Sequence, residues 1–443
     1  MAAASNIRVR FAPSPTGHVH IGNIRVCIYN WLFARNQGGT MLLRIEDTDR
    51  ERSTPEAVAT MLDALEWLGL DYDEPPVYQS RRLDRYREVA AKLLADGHAY
   101  YSDKGAADKG QALVFRVTED AEFEDVILGR RGKLAKDMTD FVIMKSDNTP
   151  VFHLANVIDD MDSGITHILR GNDHVENTYR HVMLFKALGK TPPVYAHFPM
   201  IINKDGKPYS KRDGDAYVGD FKARGFLPEA LVNFLALCGW SPGDDREFLP
   251  PAELVRVFDL RRVRKSPAQF NMKKMEGMNR TYLQALGDDA LAAALRPFAG
   301  EAGLDLDRFT GARRTELLQL FKAKLGTLAD FPVKARFVFH ADFTYDREAL
   351  DKFVLDAPGR ALWPKLCAVL RDAPDFTEAT LTAPLTRVME AAGVNFLRIA
   401  QPIRIALTGG TVSPGIFETM SFLGREEVLR RIDRMQAEVF KET

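Results

Sequence analysis

Apolar and polar positions alternate at the start of the chain. Ile7, Val9 and Phe11 interleave with Arg8 and Arg10, the period-two pattern of a strand. The following run, Ala12-Pro13-Ser14-Pro15-Thr16-Gly17, bars regular structure through its prolines and glycine. From Ile21 the period lengthens. Ile24, Cys27, Ile28, Trp31, Leu32 and Arg35 recur at three- and four-residue steps, which predicts a helix that Gly38-Gly39 ends. Met41-Leu42-Leu43-Arg44-Ile45 reads as a buried strand running into Glu46-Asp47-Thr48-Asp49. Strand, loop, helix and strand within about forty residues make a βαβ unit, hence a parallel sheet.

Helices are predicted around Pro55–Leu68 and Arg81–Asp96. From about Tyr100 to Gly171 strand-like runs dominate: Ala112–Val117, Asp140–Met144, Val151–Leu154 and Ile165–Leu169. This stretch reads as an insertion between two halves of an α/β domain. The sheet resumes near Val194–Ile202, before a loop at Asn203–Asp213. After Phe226 the pattern turns helical. Leu227-Pro228-Glu229 opens a helix with proline in its first turn, Leu231, Phe234, Leu235 and Cys238 form its stripe, and Gly239 closes it. Beyond it Arg336–Phe339 is the main strand candidate. No internal repeat or low-complexity stretch is present.

Composition narrows the class without changing this picture. The 443 residues imply about three domains at ~150 each. With 46% hydrophobic and 27% charged residues, collagenous, low-complexity and wholly disordered chains are excluded. Lys plus Arg (60) nearly balances Asp plus Glu (61), which excludes a uniformly basic nucleic-acid coat but not a local basic face. Cys27, Cys238 and Cys367 lie far apart with no CxxC pair, so neither a disulfide framework nor a cysteine zinc site is expected. Met1–Arg10 holds no apolar run of a signal peptide, and no stretch reaches the ~20 apolar residues of a membrane span. A soluble, cytoplasmic protein in a reducing compartment is the expectation.

Two loops carry candidate chemistry. Pro13 to Asn23 (Pro-Ser-Pro-Thr-Gly-His-Val-His-Ile-Gly-Asn) joins a strand to a helix N-terminus, where backbone N–H groups and the helix dipole suit a phosphate. Gly17 and Gly22 would let a nucleotide lie on the backbone, and His20 could donate to phosphate oxygens. Gly206-Lys207-Pro208-Tyr209-Ser210-Lys211-Arg212 gathers three cations that could neutralise a triphosphate. Taken singly, each has a plainer reading, an ordinary turn and a solvated charge run.

Together they resemble the class I aminoacyl-tRNA synthetases, and within them the bacterial glutamyl-tRNA synthetases. His20-Ile21-Gly22-Asn23 matches the HIGH signature, and Pro208-Tyr209-Ser210-Lys211-Arg212 stands in the place of KMSKS. Arg10 to Gly17, Arg44 to Asp49, His153-Leu154-Ala155-Asn156 with Asp159-Asp160, Gly164 to Gly171, Pro228–Trp240 and Thr408 to Gly415 match as well. The resemblance is collinear from about residue 7 to 435. It implies a Rossmann-type parallel-sheet catalytic domain with an inserted acceptor-binding domain, followed by an all-α C-terminal tRNA- and anticodon-binding region. The implied boundaries are 1–100 and 176–225 for the catalytic halves, 101–175 for the insertion, 226–300 for stem contacts and 301–443 for the anticodon.

The resemblance implies site residues one by one. His20, Asn23 and Lys211 would be catalytic. Pro13, Gly17, His20, Gly22, Ser210, Lys211 and Arg212 would bind ATP. Arg10, Ala12, Ser14, Glu46, Phe152, Asn156 and Arg170 would hold glutamate, with Glu46 taking the ammonium; a divalent-metal role for Glu46–Asp49 is the rival. Forked guanidiniums suit carboxylates. Three departures stand out: Phe152 where the family usually has tyrosine, Pro208 in place of the first signature lysine, and Asn172 where an acid is common.

Arg261, Arg262, Arg264, Lys265, Lys273 and Lys274 form the densest basic cluster, suited to tRNA phosphates. The implied partners are ATP, with Mg²⁺ accompanying it, L-glutamate and tRNA(Glu); whether tRNA(Gln) is also an acceptor is left open by the sequence. No zinc, no membrane and a monomer are expected. The alternatives are a truncated paralogue that glutamylates a tRNA nucleoside, against which the long helical C-terminus speaks, and a non-catalytic tRNA-binding paralogue.

Overall fold

A computed structural model of the chain describes residues 7–15, 17–49, 53–103 and 110–440. Thr16 of the first loop and the start of the N-terminal segment lie outside the described residues. The chain divides into two compact units, one ending at Met278 and one beginning at Asn279.

In the first unit β1 (Arg8–Phe11), α1 (Ile21–Gln37) and β2 (Thr40–Ile45) form the βαβ unit, with Val9 opposite Met41 in parallel register. Gly38 ends α1 in the left-handed conformation, φ 62°, where a side chain would be strained. α2 (Pro55–Leu68) starts with its proline in the first turn and the Thr54 side chain capping Ala57 N–H. β3 (Val77–Tyr78) then pairs with β2, and α3 (Leu83–Ala95) follows.

The next segment builds two structures at once. β4 (Ala99–Ser102), β5 (Ala112–Phe115) and β8 (Phe141–Met144) make a small antiparallel sheet. Between β5 and β8 the chain forms the hairpin β6 (Ala121–Asp125) and β7 (Gly129–Lys133). That hairpin joins a different sheet, of order β7-β6-β10-β9, whose other strands are β9 (His167–Gly171) and β10 (Val194–Phe198). α4 (Phe152–Asp162) precedes β9, and α5 (Val175–Ala187) links β9 to β10. β9 abuts β1, where Thr166 N–H donates to the Arg8 carbonyl at 3.0 Å. The chain thus runs outward from β1 to β3 and outward again from β9 to β10. Ligands of such doubly wound sheets bind where that direction reverses, at the carboxyl ends of the strands.

The unit continues through β11 (Ile201–Ile202), α6 (Val218–Ala223), α7 (Pro228–Leu237), α8 (Pro251–Val257), β12 (Ala268–Gln269) and α9 (Met272–Ala285). β11 and β12 pair in parallel. Leu42, Tyr86, Leu154, Val157, Ile168 and Val182 belong to one buried cluster that ties the sheet to α3, α4 and α5.

The second unit is helical throughout its described residues: α10 (Asp288–Glu301), α11 (Gly311–Lys322), α12 (Asp330–Phe339), α13 (Arg347–Phe353), α14 (Ala357–Asp372), α15 (Glu378–Ala392), α16 (Phe396–Thr408), α17 (Ile416–Leu423) and α18 (Arg425–Val439). Asp356, Thr377 and Asn395 cap α14, α15 and α16 through their side chains. Trp363, Leu366, Ile403 and Ile432 lie in its core.

Two expected strands are helical. Val151–Leu154 leads into α4, where Leu154, Val157 and Ile158 bury one helical face. Arg336–Phe339 is the last turn of α12. Short apolar runs carry no period that separates strand from buried helix. β7 went unread because Gly129-Arg130-Arg131-Gly132-Lys133 is a largely exposed edge strand with no apolar alternation.

Candidate functional site

A cavity of about 540 Å³ opens at the carboxyl ends of β1, β2 and β9. Arg10, Ala12, Pro13, Ser14, His20, Gly22, Asn23, Glu46, Phe152, Asn156 and Arg170 all line it, although they come from four segments. Gly17, Ser210, Lys211 and Arg212 do not, whereas Pro208 and Tyr209 of the second loop do.

His20 is the N-cap of α1. Its Nδ1 accepts from Gly22 N–H at 3.0 Å, which leaves Nε2 to carry the proton. A Cβ on Gly22 would stand 3.2 Å from that Nδ1, so glycine keeps the cap open. Burial lowers the His20 pKa and outweighs the Tyr209 backbone contact, giving a neutral N–H donor at the helix N-terminus.

The two loops are knitted together. Ile21 N–H donates to the Ala216 carbonyl at 2.9 Å and Val218 N–H to the Val19 carbonyl at 3.0 Å. Tyr217, which the sequence did not single out, links them chemically. Its ring meets the edge of His20 at 6.0 Å, and Lys211 Nζ lies 5.7 Å over its face. Within the second loop Asp213 accepts from Ser210 Oγ and Ser210 N–H, both at 2.9 Å, and from Asn203 Nδ2 at 2.7 Å. Ser210 is therefore committed to the loop's own shape. Lys211 and Arg212 are exposed, and neither joins an ion pair among the described residues.

The end of the cavity lined by Arg10, Glu46, Asn156 and Arg170 holds buried charge in an uneven pattern. Arg10 donates to both oxygens of Asp160, through Nε at 2.9 Å and Nη2 at 3.3 Å. Arg44 meets the same Asp160 at 2.5 Å and Glu46 at 3.2 Å. Burial pushes Glu46 upward, and Arg44 and Arg10 only partly offset it. Asn156 Nδ2 donates to Glu46 Oε1 at 2.9 Å, while Asn156 Oδ1 is buried with no partner among the described residues. Glu46 and Asn156 thus present acceptors side by side.

Arg170 differs from Arg10. It is only 6% exposed, and its partners are neutral: His197 Nε2 at 3.2 Å from Nε, Thr178 Oγ1 at 2.7 Å from Nη2, and His181 Nδ1 at 3.5 Å from Nη1. No carboxylate lies within ion-pair distance among the described residues. Burial, reinforced by Arg10, pulls its pKa down to about 10. His153 and His174 are lowered to about 4, chiefly by burial and next by arginines, so the imidazoles around Arg170 are uncharged near neutrality. Phe152 stands among them, its ring 5.6–5.7 Å from those of His153, His174 and His181. Arg25, also missed by sequence, lines the cavity and donates to the carbonyls of Cys238 and Pro199.

A zwitterion with an additional carboxylate is complementary to this arrangement: acceptors at Glu46 and Asn156, a guanidinium at Arg170 with no ion pair among the described residues, and the positive end of the α1 dipole beside them. Comparison with known proteins decides the family. A model of the class I tRNA synthetase catalytic domain for E and Q matches residues 6–108 and 102–277, and an anticodon-binding-domain model matches 290–436. A glutamate–tRNA ligase of Geobacter sulfurreducens is 38% identical over 466 aligned positions, covering 98% of this chain and 99% of that protein. The chain belongs to the glutamyl-tRNA synthetases.

Another relative, the glutamate–tRNA ligase of Akkermansia muciniphila, is 40% identical and covers 97% of this chain and 98% of its own. A crystal structure of a glutamate–tRNA ligase from Elizabethkingia meningosepticum, in complex with its amino acid, superposes with a TM-score of 0.85 at 27% identity, covering 98% and 100% of the two chains. Within this synthetase fold the basic cluster divides. Arg261 and Arg262 border one surface cavity and Arg264 and Lys274 another. Arg261 is paired with Asp259 and Lys274 with Glu247, while Lys265 and Lys273 are exposed.

Among the described residues no group of three His, Cys, Asp or Glu side chains could hold a metal ion. Asp47 is taken by Ser80 N–H and Oγ, at 2.8 and 2.6 Å. No helix of the described residues is long and apolar enough to cross a membrane.

Proposed function

We propose that the chain activates L-glutamate with ATP and transfers it to tRNA(Glu), with each site residue acting as follows. Arg170 receives the γ-carboxylate. Glu46 and Asn156 take the ammonium, and Arg10, held on Asp160, borders the same pocket. Ala12 and Ser14 complete it beside Phe152. The α-carboxylate oxygen attacks the α-phosphorus of ATP, a bond to phosphorus forms, and the bond to the departing pyrophosphate breaks. The neutral Nε2–H of His20 and the positive end of the α1 dipole, beside Gly22 and Asn23, face the phosphates. Lys211, with Arg212, meets the negative charge that grows on the pyrophosphate. The 2′-hydroxyl of the terminal tRNA ribose then takes the glutamyl group and AMP leaves. Positioning and electrostatics suffice, with no covalent enzyme intermediate.

Mg²⁺ would arrive with ATP, bound to its phosphate oxygens. Residues 1–100 and 176–225 serve catalysis, 101–175 the acceptor end, 226–300 the stem through Arg261–Lys274, and 301–443 the anticodon. The protein works as a cytoplasmic monomer.

The observation that carries the reading is Arg170, a buried cation facing a cavity with no ion-pair partner among the described residues. Pyrophosphate exchange measured with glutamate, ATP and cognate tRNA tests it; a chain that binds tRNA but supports no exchange would be the non-catalytic paralogue. Side-by-side charging of tRNA(Glu) and tRNA(Gln) decides the acceptor range.

A further inference from the structure

Asp125 and His197 form a buried pair that the reaction just described does not use. Neither side chain has any exposure, and His197 Nδ1 lies 2.6 Å from Asp125 Oδ2. The two come from distant parts of the chain. Asp125 ends β6, in the inserted segment, and stands opposite Tyr195 of β10, two residues before His197.

Every contact of the Asp125 carboxylate is a donor. Ile127 and Leu128 N–H groups reach Oδ1 at 2.9 and 2.7 Å, and His197 N–H reaches Oδ2 at 3.1 Å beside the ring Nδ1. Burial raises such a carboxyl, but the His197 hydrogen bond and the backbone donors prevail and hold it below the usual range. An ionised Asp125 accepts a hydrogen bond from Nδ1–H, which leaves the lone pair on Nε2. That lone pair faces Arg170, whose Nε donates to it at 3.2 Å, and Thr178 Oγ1 lies 2.9 Å from the same Nε2. Thr178 Oγ1 holds Nη2 of the same guanidinium at 2.7 Å.

We propose that Asp125 and His197 are positioning residues: they hold the imidazole in the tautomer that accepts from Arg170 Nε and so aim Arg170 at the substrate carboxylate. This rests on the reading of Arg170 as the carboxylate anchor. Two donors of the planar fork are fixed from behind, which sets the plane and rotation of the remaining N–H groups. A carboxylate in the place of His197 would orient the fork equally well, but it would neutralise the cation, as Asp160 does for Arg10. A neutral imidazole orients without competing for the charge. The insertion thereby contributes to the amino-acid pocket through β6.

The experiment compares Asp125→Asn, His197→Phe and His197→Gln with Arg170→Met in the intact protein. Pyrophosphate exchange with tRNA gives KM for glutamate and for ATP, thermal melting reports folding, and ¹⁵N-histidine spectra report the tautomer. In Asp125→Asn the amide oxygen stays with Ile127 and Leu128, and its NH₂ turns to His197. The imidazole then carries its proton on Nε2, directed to Thr178 Oγ1, and Arg170 Nε loses its acceptor. Asp125→Asn and His197→Phe should raise KM for glutamate on the order of tenfold, with KM for ATP within about twofold. His197→Gln, which keeps an acceptor, should recover most of the loss. The wild type should show the Nδ1–H form of His197.

An Nε2–H form in the wild type, equal losses in His197→Phe and His197→Gln, or an unchanged glutamate KM in Asp125→Asn would overturn the proposal. If Arg170→Met itself left the glutamate KM unchanged, the pocket reading would fail instead.

Discussion

Replacing Arg170 by methionine keeps the unbranched stem and removes the guanidinium. A charge-assisted hydrogen bond contributes about 1.5–3 kcal/mol net, equivalent to about 10- to 150-fold in kcat/KM. The γ-carboxylate would also enter a cavity whose other two arginines are already engaged, Arg10 by Asp160 and Arg25 by the Cys238 and Pro199 carbonyls. The loss for glutamate should therefore reach about 10²-fold, and the preference over glutamine, which rests on that charge, should fall with it. Stability should move the other way. Arg170 is a cation whose folded-state pKa lies below its unfolded value, down to about 10 through burial and then Arg10. Its charged form is thus a cost to the folded state at neutral pH, relieved only as pH rises through that value. Removing it gives up bonds to His197 and Thr178 but also that cost, so the free variant should melt at or above the wild-type temperature. Glutamate should raise the melting point of the wild type and not of the variant. Melting curves with and without glutamate, together with glutamylation kinetics, check this. An intact preference over glutamine, or a lowered melting point with normal kcat/KM, would refute the reasoning.

Lys211→Ala should lower the rate of pyrophosphate exchange by about 10²-fold while changing glutamate KM little, since its charge serves the departing pyrophosphate; near-normal exchange would remove Lys211 from that role. Glu46, raised by burial, must be ionised to hold the ammonium, so glutamate KM should climb on acidification at a pH above the ordinary carboxylate range. That limb should be missing in Glu46→Gln, and a pH profile of KM in both proteins tests it. Zinc should be absent by elemental analysis, because the three thiols are buried and burial raises each of them, Cys238 and Cys367 to about 11. About one zinc per chain would contradict the argument.

What could be read from sequence was local. The start of α1 is written in the lengthening of the period at Ile21 after a loop rich in proline and glycine, and the βαβ unit in the change of period between Phe11, Ile21 and Met41, whereas the His20 cap itself was seen only in the structure. The proposed amino-acid pocket was legible only through resemblance, because Arg10, Glu46, Asn156 and Arg170 are separated by long stretches and meet through sheet topology. Their inequality was not legible at all. Nothing near Arg10 in sequence announces Asp160, 150 positions away, nor does anything near Arg170 announce His197 and Thr178 as neutral partners. Tyr217 gave no signal beyond being an aromatic after a charged loop. The helix at Phe152 was misread because its buried face begins with a short apolar run that fits either period.

The strands β6 and β7 leave the small antiparallel sheet, border the parallel one, and hand the chain back to β8. The segment after α3 is consequently stitched to the catalytic body by two crossings rather than hung from it by two ends. Chimaeras that exchange residues 99–144 as a cassette between relatives would replace the neighbour of β10 along with the appended lobe. A cut that spares 121–133 needs four junctions instead of two. Recombination libraries of this family should therefore tolerate breakpoints in the β5–β6 and β7–β8 connections in matched pairs and reject them singly.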